Sequence, residues 1–147
     1  MSRRYLAPTF GALLFNAVVR GLAKLGVSVY GSTNLAVRGR RTGAWQVVPV
    51  NLLELDGASY LVAPRGDTQW ARNLRTAGGG EFRLGARVRQ FTATEVADDA
   101  KPPVLRAYLQ RWAFEVAAFF PGVTATSSDA ELRAVAGGYP VFQVSRH

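Results

Sequence analysis

Short apolar runs, separated by glycine and proline, are the feature that most limits the fold of this chain. Fifteen glycines and seven prolines interrupt the 147 residues. Breaks of this kind favour several short strands over a few long helices, so an all-helical bundle is not expected. Because 48% of the residues are hydrophobic, a chain of this length can bury one core. We therefore expect a single domain over residues 1–147.

The apolar runs predict six strands and four helices. Strands are expected at 35–38, 45–55, 59–63, 81–84, 88–96 and 139–144, with an Asp-Gly hairpin turn at 56–57. Helices are expected at about 8–27, 69–77, 102–120 and 129–135, and the glycines at 78–80 are expected to stop the second of them. This order predicts a mainly β, six-stranded antiparallel barrel with flanking helices.

The helix at about 8–27 is amphipathic and begins at a proline. Its apolar face is expected to pack on the barrel, and the alternative is that it rests on an anionic membrane surface, because basic residues flank it. No stretch reaches the roughly 18 apolar residues that a membrane span needs. We expect a cytoplasmic protein, with the alternative of one peripheral to the inner face of the cell membrane.

Several kinds of catalysis are excluded by residues that the chain lacks. It has no cysteine, and its one histidine is the last residue, His147. A thiolate metal site, a cysteine nucleophile and a histidine-based triad are therefore not expected. We predict no catalytic side chain and no metal, so that any redox chemistry would come from a bound cofactor.

Positive charge is concentrated in the middle of the chain. Residues 38–89 hold nine arginines and four acidic residues, whereas the whole chain has a net charge of +8. Arginine binds phosphate and carboxylate in a bidentate way, so this segment is expected to meet an anion. The pI of about 10.8 also fits a nucleic-acid binder, but the chain shows no nucleic-acid-binding motif, so we predict no nucleic-acid partner.

Three polar elements fall at the ends of the first predicted strands: a turn at 39–43, a loop at 63–66 and a helix beginning near Gln69. If they converge, their arginines could clamp a phosphate and their glycines would let backbone N–H groups approach it. Whether they converge depends on strand register, which this reading leaves open. A solvated hairpin tip and a core tryptophan at Trp70 are the simpler interpretations.

The ordered set of these elements resembles the deazaflavin-dependent nitroreductase-like oxidoreductases, which adopt the split β-barrel of many FMN-binding proteins. The resemblance is carried by the residues Gly39-Arg40-Arg41-Thr42-Gly43, Pro49, Ala63 to Gly66 and Trp70-Ala71-Arg72-Asn73-Leu74. It covers about residues 35–96, with looser similarity at Tyr139 to Phe142. It implies binding of 8-hydroxy-5-deazaflavin (coenzyme F420) and hydride transfer to an organic acceptor.

The resemblance also implies which residues hold the cofactor. Its phosphate and acidic tail would lie on the turn, its ring system along the second strand and the following loop, and the helix would close the groove. The candidate residues are Arg40, Arg41, Thr42, Gln46, Val48, Pro49, Val50, Ala63, Pro64, Arg65, Gly66, Trp70, Arg72 and Asn73.

Two departures from the family pattern stand out. Gln46 occupies a position where many relatives have a basic residue. The tyrosine-rich substrate segment of the nitroimidazole-reducing members is replaced by Phe114 to Ser128.

The function implied is an oxidoreductase that transfers a hydride from reduced F420 to a hydrophobic acceptor, either a quinone-like, an enone or a nitro compound. The alternatives are an FMN-binding reductase of the same fold and a flavin- or deazaflavin-binding protein without turnover. The sequence leaves the oligomeric state open.

The arginines of residues 38–75 lead to a first prediction, that the protein binds F420 more tightly than FMN. FMN has one phosphate and no acidic tail, so it can engage fewer of these cations. Fluorescence titration of the cofactor-free protein with each cofactor measures the two affinities. Equal or reversed affinities would contradict the prediction.

Overall fold

Six antiparallel strands follow the glycine and proline breaks in the computed structural model, which describes residues 32–146. The strands are β1 (Ser32–Arg38), β2 (Trp45–Leu55), β3 (Ala58–Val62), β4 (Gly79–Leu84), β5 (Arg87–Glu95) and β6 (Val141–Arg146). They pair in the order β1-β2-β3-β6-β5-β4, and β4 pairs with β1 to close the barrel. The predicted six-stranded antiparallel barrel with flanking helices is confirmed.

Three helices lie within the described residues: α1 (Gln69–Ala77), α2 (Pro102–Val116) and α3 (Asp129–Val135). α2 begins with two prolines, and α3 begins with a capping box between Ser128 and Glu131. The helix predicted to run to about residue 120 ends at Val116, and a 3₁₀ turn at Ala117–Phe119 follows it. The helix expected at 8–27 lies outside the described residues. No helix within residues 32–146 is long and apolar enough to cross a membrane.

The glycines at 78–80 have a second use that the sequence pattern did not indicate. Gly78 ends α1 in the left-handed region at φ 73°, as predicted, but Gly79 and Gly80 already belong to β4. A Cβ atom on Gly80 would stand 2.4 Å from the carbonyl oxygen of Ala36 in β1. Glycine therefore permits the close backbone approach at which β4 meets its neighbours in the barrel.

Two apolar clusters stabilise the fold, one on each side of the barrel wall. The interior cluster includes Leu35 and Phe142, and the outer cluster lies under α2 and α3 around Trp112 and Tyr108. Burial of this apolar surface is the main favourable term in folding. Because one sheet serves both clusters, each strand between them must be apolar on both faces.

The strand β2 shows this division most clearly. Val48, Val50 and Leu52 pack on the interior cluster, whereas Leu53 and Leu55 pack on the outer cluster beneath α2. Side chains alternate along a strand, so residues 47, 49 and 51 share the outer face with Leu53 and Leu55. α2 reaches this face as far as Asn51, where the last turn of the helix makes contact. Within residues 32–146, the outer face of β2 from Asn51 back to Val47 lies past the end of α2, and we call this face the ledge.

Candidate functional site

The turn after β1 and the helix α1 are in direct contact. Arg40 donates two hydrogen bonds to Asn73 Oδ1, from its backbone N at 3.1 Å and from Nη1 at 2.8 Å. Nη1 also donates to Gln69 Oε1 at 2.9 Å. β3 runs in the same direction as β1, so the segment after β3 leaves the barrel at the end where this turn lies. The convergence that the sequence left open is therefore present in the fold.

The turn itself is held in shape by local hydrogen bonds. Gly39 N donates to Ala44 O at 2.8 Å, and Gly43, at φ 76°, donates back to Gly39 O at 2.9 Å. Thr42 Oγ1 accepts from the N–H of Ala44. The side chain of Arg41 is exposed, and no hydrogen bond or ion pair within residues 32–146 engages its guanidinium. The turn therefore presents one cation that is free to meet an anion.

The loop after β3 forms the second part of the site. Ala63 N donates to Pro140 O, and Gly66 takes a positive φ of 98°, which lets the chain turn into α1. The guanidinium of Arg65 lies 5.0 Å from the ring centroid of Phe119. This contact joins the loop to the segment that follows α2.

The ledge is lined by the outer face of β2, and here the structure divides a predicted stretch. Pro49 and Val47 lie on this face, and Val47 is 37% exposed. The neighbouring Val48 and Val50 point their side chains to the barrel interior. A ligand on the ledge could meet only their backbone, so the expected side-chain role fits Pro49 alone among residues 48–50.

Two of the predicted residues on α1 are occupied elsewhere. The Trp70 ring is half-buried and packs 6.2 Å from the Phe142 ring at the interior cluster. Arg72 pairs with Asp67 at 3.3 Å. Arg75 also pairs with Asp67, and its hydrogen bond to Glu95 raises the pKa of its guanidinium further. Asp67 and Glu95 therefore neutralise much of the positive charge on α1.

Gln46 and Pro64 complete the set of predicted positions. Gln46 is exposed on β2 immediately after the turn, and its amide nitrogen lies 3.7 Å from the place a Cβ on Gly39 would take. Pro64 is half-buried in the loop between Ala63 and Arg65. Pro64 therefore borders the groove between the turn, the loop and the ledge, which we call the ledge groove. Gln46 has the same strand parity as Val48 and Val50, so its side chain leaves β2 on the opposite face from the ledge.

Two features of the site were missed by the sequence analysis. The hydroxyl of Thr68, which precedes the first turn of α1, is buried and has no hydrogen-bond partner among the described residues. A threonine directly before a predicted helix is a signal that could have identified it. Asn51 Nδ2 donates to Glu115 Oε2 at 3.2 Å, and no sequence signal joins residues so far apart.

The electrostatics of Glu115 are unusual for a carboxylate near the surface. Burial raises the pKa of the Glu115 carboxyl, and the hydrogen bond from Asn51 partly opposes this rise. No group of three or more His, Cys, Asp or Glu within residues 32–146 could hold a metal ion. The ledge groove therefore combines a free cation at one end with a half-buried acid at the other.

A comparison with protein families identifies one match. A family model described as F420H(2)-dependent quinone reductase matches residues 15–119, which is more than two thirds of the chain. This range includes the turn, the ledge, the loop and α1. No curated protein matches the chain.

Solved structures share the fold at low sequence identity. A protein described as a domain-swapped dimer aligns over 88% of this chain and 92% of its own, with 18% identity and a TM-score of 0.56. The F420-H2 dependent reductase FDR-A aligns over 78% and 94%, with 17% identity and a TM-score of 0.51. The protein Atu2129 of unknown function from Agrobacterium tumefaciens aligns over 99% and 61%, with 16% identity and a TM-score of 0.54.

The contact between Arg40 and Asn73 gives a testable prediction. Asn73→Ala removes a buried acceptor of two hydrogen bonds, so we expect a loss of about 1–2 kcal/mol in the free energy of unfolding. Backbone amide exchange in residues 39–44 should become faster, because the turn loses its support. Urea unfolding and hydrogen exchange measure the two effects.

Gln69→Ala is the matched control, because it removes only one exposed contact to the same guanidinium. It should change stability by less than about 0.5 kcal/mol. Equal effects from the two substitutions would show that Asn73 does not fix the turn.

Proposed function

This chain belongs to the F420H(2)-dependent quinone reductase family, and from that premise we propose that its ledge groove binds F420 for hydride transfer to a quinone-like acceptor. The chain is an oxidoreductase of this family, and F420 is its cofactor. The site residues and the acceptor are our proposal. The observation that carries it is the docking of the turn on α1, after which Arg41 has no partner among residues 32–146.

The residues at the α1 end of the groove fit a phosphate group. The first N–H groups of a helix lack partners within the helix and carry partial positive charge, so they favour an anion. α1 has no acidic residue in its first turn, and the unpartnered Thr68 hydroxyl lies directly before that turn. We propose that Thr68, the start of α1 and Arg41 hold the phosphate and the acidic tail of F420.

The remaining residues of the groove would orient the ring system and exclude water. Pro49 and Val47 offer an apolar floor, while Phe119 with the Arg65 guanidinium above it offers a wall. When bound, the reduced cofactor supplies a hydride. The protein's part is to hold the acceptor against it in a low-polarity groove.

An aromatic acceptor suits the groove better than a small polar one. Phe119 is partly exposed and lies beside the Arg65 guanidinium. Exposed aromatic rings stack on planar substrates with a gain of about 0.5–1.5 kcal/mol for each pair. A quinone is planar and apolar, so we propose it ahead of enone and nitro compounds.

Two expectations from the sequence remain proposals. We propose that residues 1–147 act as one cofactor-binding domain, with the helix expected at 8–27 packed on the barrel. We also propose a cytoplasmic location, which suits a chain without cysteine.

Turnover distinguishes the proposed reductase from a binding protein without catalysis. We expect the purified protein to oxidise F420H2 under anaerobic conditions when menadione is added, and the recovery of F420 absorbance measures the rate. The control is the same reaction with reduced FMN in place of F420H2. Binding of F420 without turnover on any quinone would leave the binding protein as the correct interpretation.

The proposed role of Arg41 predicts a specific kinetic result. Arg41→Ala should raise the dissociation constant of F420 by roughly tenfold or more, because a charge-assisted hydrogen bond to an anion contributes about 1.5–3 kcal/mol. Turnover at saturating F420 should fall much less, since the contact is to the tail and not to the reacting ring. Fluorescence titration and steady-state kinetics measure the two quantities.

Arg87→Ala is the matched control for charge. Arg87 is exposed at the start of β5, and the register Asn34–Arg83 and Ala36–Glu81 places this hairpin at the far end of β1 from the turn. It should leave the affinity unchanged. If Arg41→Ala binds F420 normally while Arg65→Ala does not, the phosphate lies at the loop and our placement is wrong.

A further inference from the structure

A half-buried acid stands at the inner end of the ledge groove. Glu115 lies in the last turn of α2, and its Oε2 accepts a hydrogen bond of 3.2 Å from Asn51 Nδ2. The Asn51 side chain also interacts with the hydroxyl of Tyr108, which is fully buried two helical turns before Glu115. A buried tyrosine and an ordered amide therefore fix the position of the carboxyl group.

The course of β2 and of α2 places this carboxyl group at the end of the ledge. Asn51 follows Pro49 on the outer face of β2, so the amide that holds Glu115 borders the floor of the groove. Phe119, four residues after Glu115, meets the Arg65 guanidinium, and the two together would form one wall of the groove. α2 is kinked at Trp112 (φ −125°, ψ 18°), and its last turn therefore departs from the axis of the rest of the helix.

Among the described residues, the Glu115 carboxyl has a neutral hydrogen-bond partner and no cationic one. On its own helix, Tyr108 lies two turns earlier and Arg111 one turn earlier, with the Arg111 guanidinium over the Trp112 ring. From β2 it meets the neutral Asn51, and the Arg65 guanidinium of the loop lies over the Phe119 ring. No ion pair to Glu115 is present within residues 32–146. Burial therefore dominates, and it raises the pKa of the carboxyl group.

Resting on the hydride transfer proposed above, we propose that Glu115 is the acid that protonates the acceptor oxygen, and that Asn51 positions it. The quinone takes a hydride and becomes a hydroquinone anion. The O–H bond of Glu115 then breaks, and its proton forms the new O–H bond of the hydroquinone. The carboxylate recovers a proton from water, which balances the proton that oxidation of F420H2 releases. The quinone is reduced and the coenzyme is oxidised by two electrons.

Glu115→Gln tests this role, because glutamine keeps the shape and can still accept from Asn51. We expect turnover to fall about a hundredfold with tetramethylbenzoquinone, whose hydroquinone anion is basic and needs an acid. The fall should be much smaller with tetrachlorobenzoquinone, whose anion is a weak base. The affinity for F420 should stay unchanged, which separates loss of an acid from loss of the groove.

The pH profile gives a second measurement. The wild-type rate should decrease as pH rises through the pKa of Glu115, whereas the Glu115→Gln rate should lack this decrease. Glu115→Asp keeps an acid and should restore part of the rate with tetramethylbenzoquinone. Glu54→Gln is the matched control. Glu54 lies on β2, as Asn51 does, but its carboxylate bonds to Ser59 and Arg146. Removing this carboxylate should leave the pH profile unchanged.

Unfolding of the cofactor-free protein provides a measurement that is independent of turnover. A carboxyl group whose pKa is raised on folding favours the folded state while it is protonated. This contribution is lost as pH rises from the ordinary value near 4.5 through the raised value. The urea midpoint of wild type relative to Glu115→Gln should therefore fall over this interval and level off above it.

The outcomes separate this inference from the proposed function. Wild-type protein that oxidises no F420H2 with any quinone overturns both. Wild-type turnover with an unchanged rate and pH profile in Glu115→Gln overturns the acid role alone. A loss of turnover together with weaker F420 binding, or an equal loss with both quinones, also overturns it, because the residue would then support the groove instead of donating a proton.

Discussion

The hydrogen bonds from Arg40 to Asn73 are the constraint on which the site depends. They fix a glycine-bounded turn of the barrel against a helix that lies 33 residues later in the chain. Arg40 also donates to Gln69. Among residues 32–146, the guanidinium of the next residue, Arg41, has no partner. A sequence of adjacent arginines thus divides into one that supports the turn and one that is available to a ligand.

The second constraint is that β2 must serve two cores. Its inward residues fill the barrel and its outward residues Leu53 and Leu55 pack beneath α2. Where the helix stops, the outward face of the same strand is left open and forms the floor of the groove. Asn51 marks this boundary, because it bonds to Glu115 at the last turn of the helix. The length of α2 relative to β2 therefore sets both the ledge and the place of the acid.

The structure gives several of the predicted site residues other packing or pairing partners, each for a local physical reason. Alternation along a strand allows only every second side chain to face one side, so a ligand that meets Pro49 cannot also meet the side chains of Val48 and Val50. Trp70 packs on Phe142, since a large aromatic group on a short amphipathic helix is best buried in the core. Arg72 lies beside Asp67, five residues earlier, and this pairing reduces its value to an anion.

The sequence by itself determined the order of the short strands and the barrel that they form. Both follow from local periodicity and from glycine and proline breaks. Only the tertiary structure decided that the turn and α1 converge, that Arg40 is paired while Arg41 has no partner among residues 32–146, and that Glu115 meets Asn51 of β2. Contacts such as Asn51 to Glu115 join residues 64 positions apart. Their existence depends on strand register and on where a helix ends over a sheet, which no local pattern encodes.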